Sequence, residues 1–464
     1  PEQERLHLER RASRRRDARD PDSQTARLSV VTPMDPSLSF DQAPPISVPY
    51  RFFLAAPWFG VMAGLLLAWS GADALASRWT PGALALTHLI ALGFMLQAMC
   101  GALLQFIAVA VGANVWRPRL VASTVQPLLL LATLLLVAGL LYGRPDWLSA
   151  AVPFFLVAIG GLGVVVALAL WRTPATGMTL WAMRMAIGGL AITVLLGALL
   201  AEALAHGFAV PLVELTDVHL AWGLGGWALI LLAGVSYQVV PMFQLTRPYP
   251  PWFARWFAPL LLFFLLAWSL QLFLGDARWS PMIALPLLLI LSAYAGITLW
   301  LQHTRRRKIH DATSLYFRVA MLSLLAFAVS AAAIFLLPEI AADPRSAIWL
   351  GVLALAGVFV SAITGMMYKI VPFLNWLHLQ RLGAPLSAVP NMKKMITAEA
   401  MTGQLRLHVL ALLLLLAAVW LPGLSRLAGV AFAASCAWLG WNLVAAVRRY
   451  LDFRDRIRAS VLDR

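Results

Sequence analysis

Long apolar runs, separated by short stretches rich in Pro, Gly, Arg and Trp, fill the chain from residue 52 onward. Twelve stand out, near 52–72, 82–110, 120–142, 148–171, 180–204, 216–243, 254–274, 280–302, 314–337, 346–374, 406–422 and 427–448. Each has about the length that crosses a hydrocarbon core of roughly 30 Å. Backbone groups in lipid must be satisfied within the segment or around a closed barrel. The short alternating segments of a barrel are absent from the sequence. The pattern predicts an all-α integral membrane protein of twelve transmembrane helices, with the bundle as its core.

Three of these runs carry a related string. GALLQFIA (101–108), GVSYQVVP (234–241) and GMMYKIVP (365–372) share Gly, a polar Gln or Lys four residues on, and then Ala or Pro. The glycines lie 133 and 131 residues apart, with four predicted helices in each interval. Such self-similarity marks a repeated structural unit. It predicts three pseudo-repeated four-helix units, unlike the two six-helix halves of many transporters. The marked helices are the second, sixth and tenth.

Composition agrees, with 61% hydrophobic and 12% charged residues. The net charge of +15 could suggest a nucleic-acid partner, but its distribution argues otherwise. Fifteen basic residues occupy the even-numbered connections between the predicted helices and five the odd-numbered ones. The basic connections include Arg117, Arg172, Arg305 to Lys308, Lys393 and Lys394; the odd-numbered ones hold most of the acidic residues. By the positive-inside rule both termini are expected in the cytoplasm, which points to a bacterial inner membrane and a lipid partner. Residues 1–50 read as a disordered cytoplasmic tail, 51–449 as one membrane domain and 450–464 as a basic cytoplasmic tail. Residues 1–33 are Arg-rich with no apolar core, and read as a tail or as upstream sequence with Met34 as the initiator.

Cys100 and Cys436 fall inside predicted helices, so a disulfide framework is not expected. No CxxC, CxxCH or GxxxxGK[ST] string occurs, which disfavours covalent heme, thiolate zinc and an ATP-driven pump.

Of eight histidines, His88 and His219 lie well inside predicted helices, at corresponding depths near the outer ends of helices 2 and 6. His303, His310, His378 and His408 are expected at or near the cytoplasmic side, and His206 in or beside an outer connection. An ionisable group inside a membrane is costly and is a candidate functional site. Gly223 and Gly226 follow His219 on one stripe, which would leave room for a flat ligand. His88 is followed by Leu92, Met95 and Met99; core packing accounts for the methionines more simply than ligation. Neutral imidazole suits heme iron and copper. Glu202, His206, Glu214, Asp217 and His219 could hold a cation at the outer face, although loop carboxylates are commonly just solvated.

Gln105, Gln238 and Lys369 recur at the polar position of the repeat, roughly 25 Å further along and near the cytoplasmic face. The simpler reading gives Lys369 a place at the interface and lets Pro241 and Pro372 end or kink their helices. The sharper reading is a quinone-head or proton-entry role.

Twelve helices in three arcs, with 87–113 (THLIALGFMLQAMCGALLQFIAVAVGA), 218–243 (VHLAWGLGGWALILLAGVSYQVVPMF) and 363–378 (ITGMMYKIVPFLNWLH), resemble the heme–copper oxidase subunit I superfamily. Together with PYRFFLAAPWFG at 49–60, they are most similar to its divergent NnrS family of heme- and copper-containing membrane proteins. The resemblance implies b-type heme as cofactor, with copper as the alternative, and His88 and His219 as ligands. It also implies a respiratory-chain protein or quinone as partner. Departures are clear: helix 10 reads Leu350, Gly351 and Val352 at the corresponding depth, the seventh helix has no His, and the HxHE string of NnrS proteins is missing. A working terminal oxidase is therefore not expected. The expected roles are electron transfer, nitric-oxide or metal stress response, or respiratory-complex assembly. The rival is a cofactor-free permease or metal-ion transporter.

Overall fold

The structure, a computed structural model, describes residues 43–275, 279–305, 311–382 and 389–462. The expected tail lies outside these residues up to 42, as does His310. The described residues form twelve membrane-length helices and no strand. These are α1 Ser47–Leu75, α2 Pro81–Val111, α3 Pro118–Tyr142, α4 Pro145–Arg172, α5 Met178–His206 and α6 Leu212–Gln244. They continue as α7 Pro251–Leu274, α8 Ser280–His303, α9 Ala312–Leu336, α10 Pro344–Gln380 and α11 Ala398–Trp420. The last is α12, Ser425–Leu462.

Local chemistry sets many of the ends. Proline opens α2, α3, α4, α7 and α10, where its missing N–H costs nothing. Side chains of Thr80, Asp311 and Thr397 accept a first-turn N–H at the starts of α2, α9 and α11. Gly207 and Gly275, both at φ 71°, close α5 and α7 in the left-handed conformation.

Two sequence expectations change here. Pro241 and Pro372 do not end their helices, since α6 runs on to Gln244 and α10 to Gln380. The stretch expected as a tail from 450 is a continuation of α12 as far as Leu462. Apolar packing of Tyr450 and Ile457 against Leu379, Val389 and Met395 explains why it stays helical beyond the hydrophobic run.

Consecutive helices are neighbours all the way round, and α12 packs along α1, so the chain closes into a ring. Helices α2, α6 and α10 are the most enclosed, and α2 touches α10. The arginine-rich connections lie at one end of the ring, here the basic face, and the acidic ones at the other.

The threefold repeat is physical. Each marked helix contains an eight-residue π-helical segment at the same offset ahead of its repeat glycine: Leu89–Leu96, Trp222–Leu229 and Leu353–Val360. A π turn inserts a residue and rotates the side chains that follow. A second glycine, Gly93, Gly226 or Gly357, lies within each segment. Each pair faces the preceding helix. A Cβ on Gly101 would come 2.9 Å from Phe52 Cβ, on Gly234 2.7 Å from Ala182 Cβ, and on Gly365 2.7 Å from Tyr316 Cβ. The second glycines meet Phe59, Gly189 and Ser323 of the same partner helices. Absent side chains let these backbones approach, the usual way helices associate in lipid.

Candidate functional site: two histidines near the acidic face

His88 sits on the last turn of α2 before its π segment, and its Nδ1 lies 2.7 Å from Leu84 O one turn back. His219 occupies the matching stretch of α6, and its Nδ1 lies 3.0 Å from Thr193 O on α5. A carbonyl oxygen only accepts, so both Nδ1 atoms carry the proton and both Nε2 atoms keep a lone pair.

The reach to Thr193 has a local cause. Gly197 stands four residues beyond Thr193, where a side chain would cover that carbonyl; a Cβ there would lie 2.9 Å from His219 Cε1. The glycine uncovers the acceptor and makes room for the ring. The Thr193 hydroxyl meanwhile donates to Gly189 O at 2.7 Å, so it does not compete for the imidazole.

Both rings are half-buried. Just toward the acidic face, Arg78 of the α1–α2 connection forms an ion pair with Asp217, two residues before His219. Arg78 also lies 4.7 Å from the Trp79 ring centroid. This pair ties the connection to α6 beside the histidines.

The flat-ligand stripe is resolved differently from its expectation. Gly223 faces the Thr193 methyl at 3.2 Å, and Gly226 meets Gly189 Cα at 3.6 Å and the Trp222 ring at 2.9 Å, all measured from an added Cβ. Helix α5 fills the space that the sequence assigned to a ring. Met95 and Met99 are buried in the core, as packing implies. His206 is exposed and engages Glu202 of its own helix, with Nδ1 3.1 Å from the carboxylate. Glu202 also accepts from Ser149 at 3.1 Å. Among the described residues, no group of three His, Cys, Asp or Glu converges as a metal cage. The outer cation cluster therefore does not assemble.

The repeated polar positions separate as well. Lys369 reaches the basic end of the bundle, where its Nζ lies 2.5 Å from Asp311, the N-cap of α9. Gln105 and Gln238 are set in the bundle with their side-chain carbonyls unpaired by protein.

His408 lies elsewhere than expected. Helix α11 begins at Ala398, eight residues before the apolar run, so His408 is almost three turns into it and only 1% exposed. Its Nε2 is 2.7 Å from Ser361 Oγ on α10, just after the π segment. Beside it, Tyr316 and Tyr368 hydroxyls meet Gln404, whose amide donates to Ser435 at 3.0 Å, while Asn442 donates to Tyr368 at 2.8 Å. This satisfied network holds α9 to α12 together. The early Thr-x-x-Ala cap at Thr397 is the sequence signal that places the helix start correctly.

No family model matches the chain, and no curated protein is detectably similar to it.

Proposed function

We propose that the chain binds heme, with copper as the alternative occupant, through Nε2 of His88 and His219. It would serve electron transfer, nitric-oxide or metal stress response, or assembly of a respiratory complex. The observation that carries the reading is the anchoring of both Nδ1 atoms on backbone carbonyls. Metal-ligating histidines usually spend their second nitrogen in this way, which fixes tautomer and ring orientation and raises ligand basicity.

The donors suit the group: neutral imidazole ligates heme iron and copper alike. The carbonyls of Leu84 and Thr193 would orient the rings, and Gly197 would keep His219 in reach of its anchor. Arg78 and Asp217 would hold the neighbouring connection in place. Bound there, the group would supply one-electron exchange. The two glycines that face α5 supply no cradle, so the group would have to approach from the Nε2 side of the rings.

The ring of three four-helix units supports the scaffold that the resemblance implies, in a bacterial inner membrane with the basic face in the cytoplasm. Helix α10 offers Leu350, Gly351 and Val352 at the matching depth, and α7 has no His. Oxygen reduction at a binuclear centre is therefore not part of the proposal.

The test is the visible spectrum and metal content of the purified full chain. A Soret band or about one bound copper per chain supports the reading. Well-folded protein with neither would leave the cofactor-free permease as the better account.

A further inference from the structure

Helices α5 and α7 are neighbours, and a groove of about 310 Å³ lies between their first turns, toward the basic face. Met178, Trp181 and Met185 recur at helical spacing on α5 and wall one side. Ala254 and Ala258 on α7 are too small to fill the space, and the exposed Arg255 borders it. Met178 and Trp181 are 38% and 53% exposed, so the groove opens on the surface of the ring.

Its depth follows from where charge stops along each helix. From Trp256 to Leu274, nineteen residues of α7 carry no charge. That is about 28 Å of helix. On α5 the uncharged stretch from Met185 to Ala201 is seventeen residues, about 26 Å. Both lengths match a hydrocarbon core of roughly 30 Å. Arg255 and Arg184 immediately precede these stretches, which sets them at the edge of the core on the basic side. Trp171, Trp181 and Trp256 are exposed at the same level. Tryptophan favours that boundary.

The two boundary arginines are used differently. Arg184 donates from Nε and Nη2 to Leu170 O at 3.2 and 2.7 Å, and its guanidinium lies beside the Trp171 and Trp181 rings. Arg255 lies 5.7 Å from the Trp256 ring centroid and forms no ion pair among the described residues. A cation without a carboxylate therefore stands at the mouth of an apolar groove.

We propose that this groove holds one anionic phospholipid of the basic-side leaflet, with an acyl chain between α5 and α7 and its phosphate on Arg255. A soluble anion would meet the charge and leave the apolar walls empty. A neutral apolar molecule would fill the walls and leave the guanidinium unpaired. A phospholipid at this depth satisfies both. Arginine grips phosphate through two parallel hydrogen bonds. One basic residue near an anionic headgroup contributes a factor of about five in affinity.

The experiment compares the full chain with Arg255→Gln, Ala254→Leu and Arg247→Gln variants in nanodiscs of mixed phosphatidylglycerol and phosphatidylcholine. Native mass spectrometry after mild delipidation reads the retained lipid, and thermal unfolding in phosphatidylcholine discs checks the fold. Arg247, an exposed arginine of the α6–α7 connection outside the groove lining, controls for loss of charge alone. Wild type and Arg247→Gln should retain phosphatidylglycerol over phosphatidylcholine. Arg255→Gln should lose that preference by about fivefold. Ala254→Leu keeps the charge but fills the groove, and should also release the lipid; it decides the matter if Arg255→Gln does not fold. Equal retention of both lipids by the wild type would overturn the inference, as would full retention by either folded groove variant. Equal loss in Arg247→Gln and Arg255→Gln would overturn it too, by showing an effect of net charge.

Discussion

Lys369 Nζ and Asp311 Oδ2 stand 2.5 Å apart, joining the repeated polar position of α10 to the N-cap of α9. Asp311 also accepts from the Ser314 N–H at 2.9 Å and the Thr313 hydroxyl at 2.8 Å. Burial pushes its carboxyl up, but Lys369 and these donors outweigh burial and hold it below its ordinary value. A depressed folded-state value stabilises the protein at pH above the ordinary carboxylate range. That contribution fades as pH falls through the ordinary value and then the lowered one. Thermal unfolding in detergent should therefore lose stability on the acid side, and Asp311→Asn should flatten that limb. Asp311→Ala removes a cap and a partly solvated pair, at a cost of about 1–2 kcal/mol. An acid limb identical in Asp311→Asn and wild type would refute the assignment.

The glycine pairs make a second expectation. Gly101→Val, Gly234→Val and Gly365→Val each push a branched side chain into the preceding helix, where even a Cβ lies within 3 Å of a neighbour. Overpacking of this kind costs roughly 1–3 kcal/mol or more. Gly296→Ala on α8 meets nothing within 4 Å and should be neutral or stabilising by up to about 1 kcal/mol. Melting temperatures of the four variants decide this; tolerance of valine at all three repeat sites would mean that the close approach is not needed.

Ser361 and His408 should behave as a coupled pair. Ser361→Ala leaves the buried His408 nitrogen without its partner, which costs about 1–3 kcal/mol. His408→Leu together with Ser361→Ala removes both polar groups and should recover much of the loss. The comparison is a double-mutant cycle on unfolding free energy. Strictly additive losses would show that the two side chains do not act on each other.

Gly197 offers a test of the histidine anchor that touches no ligand. Gly197→Leu should displace the His219 ring from Thr193 and lower cofactor affinity by roughly 10–100-fold, as loss of an outer-shell partner typically does. Cofactor retained during dialysis reads the effect, and Gly188→Ala, an open position on the same helix, serves as control. Equal retention in Gly197→Leu and the control would remove the anchor from the account.

Much of the fold was legible because hydropathy alone marks a membrane helix, and every helix appears near its apolar run. The repeat was legible through one glycine of each pair; the π segments were not, since a one-residue insertion leaves composition unchanged. Spacing placed His219, Gly223 and Gly226 on one stripe but could not say whether a ligand or α5 covers it. His408 was misplaced because α11 starts in polar residues before Arg406, where hydropathy gives no signal. Lys369 read as an interfacial lysine and does reach the start of α9, but its partner Asp311 was not legible because it lies 58 residues away in sequence on another helix.

The central claim is that Nε2 of His88 and of His219 ligate the cofactor. Its most direct measurement is heme and copper content per chain in purified, folded wild type, His88→Ala, His219→Ala and His408→Ala. The account predicts a bound cofactor in wild type, its loss or a changed spectrum in each of the first two variants, and retention in His408→Ala. A cofactor with unchanged content and spectrum in both His88→Ala and His219→Ala would contradict it.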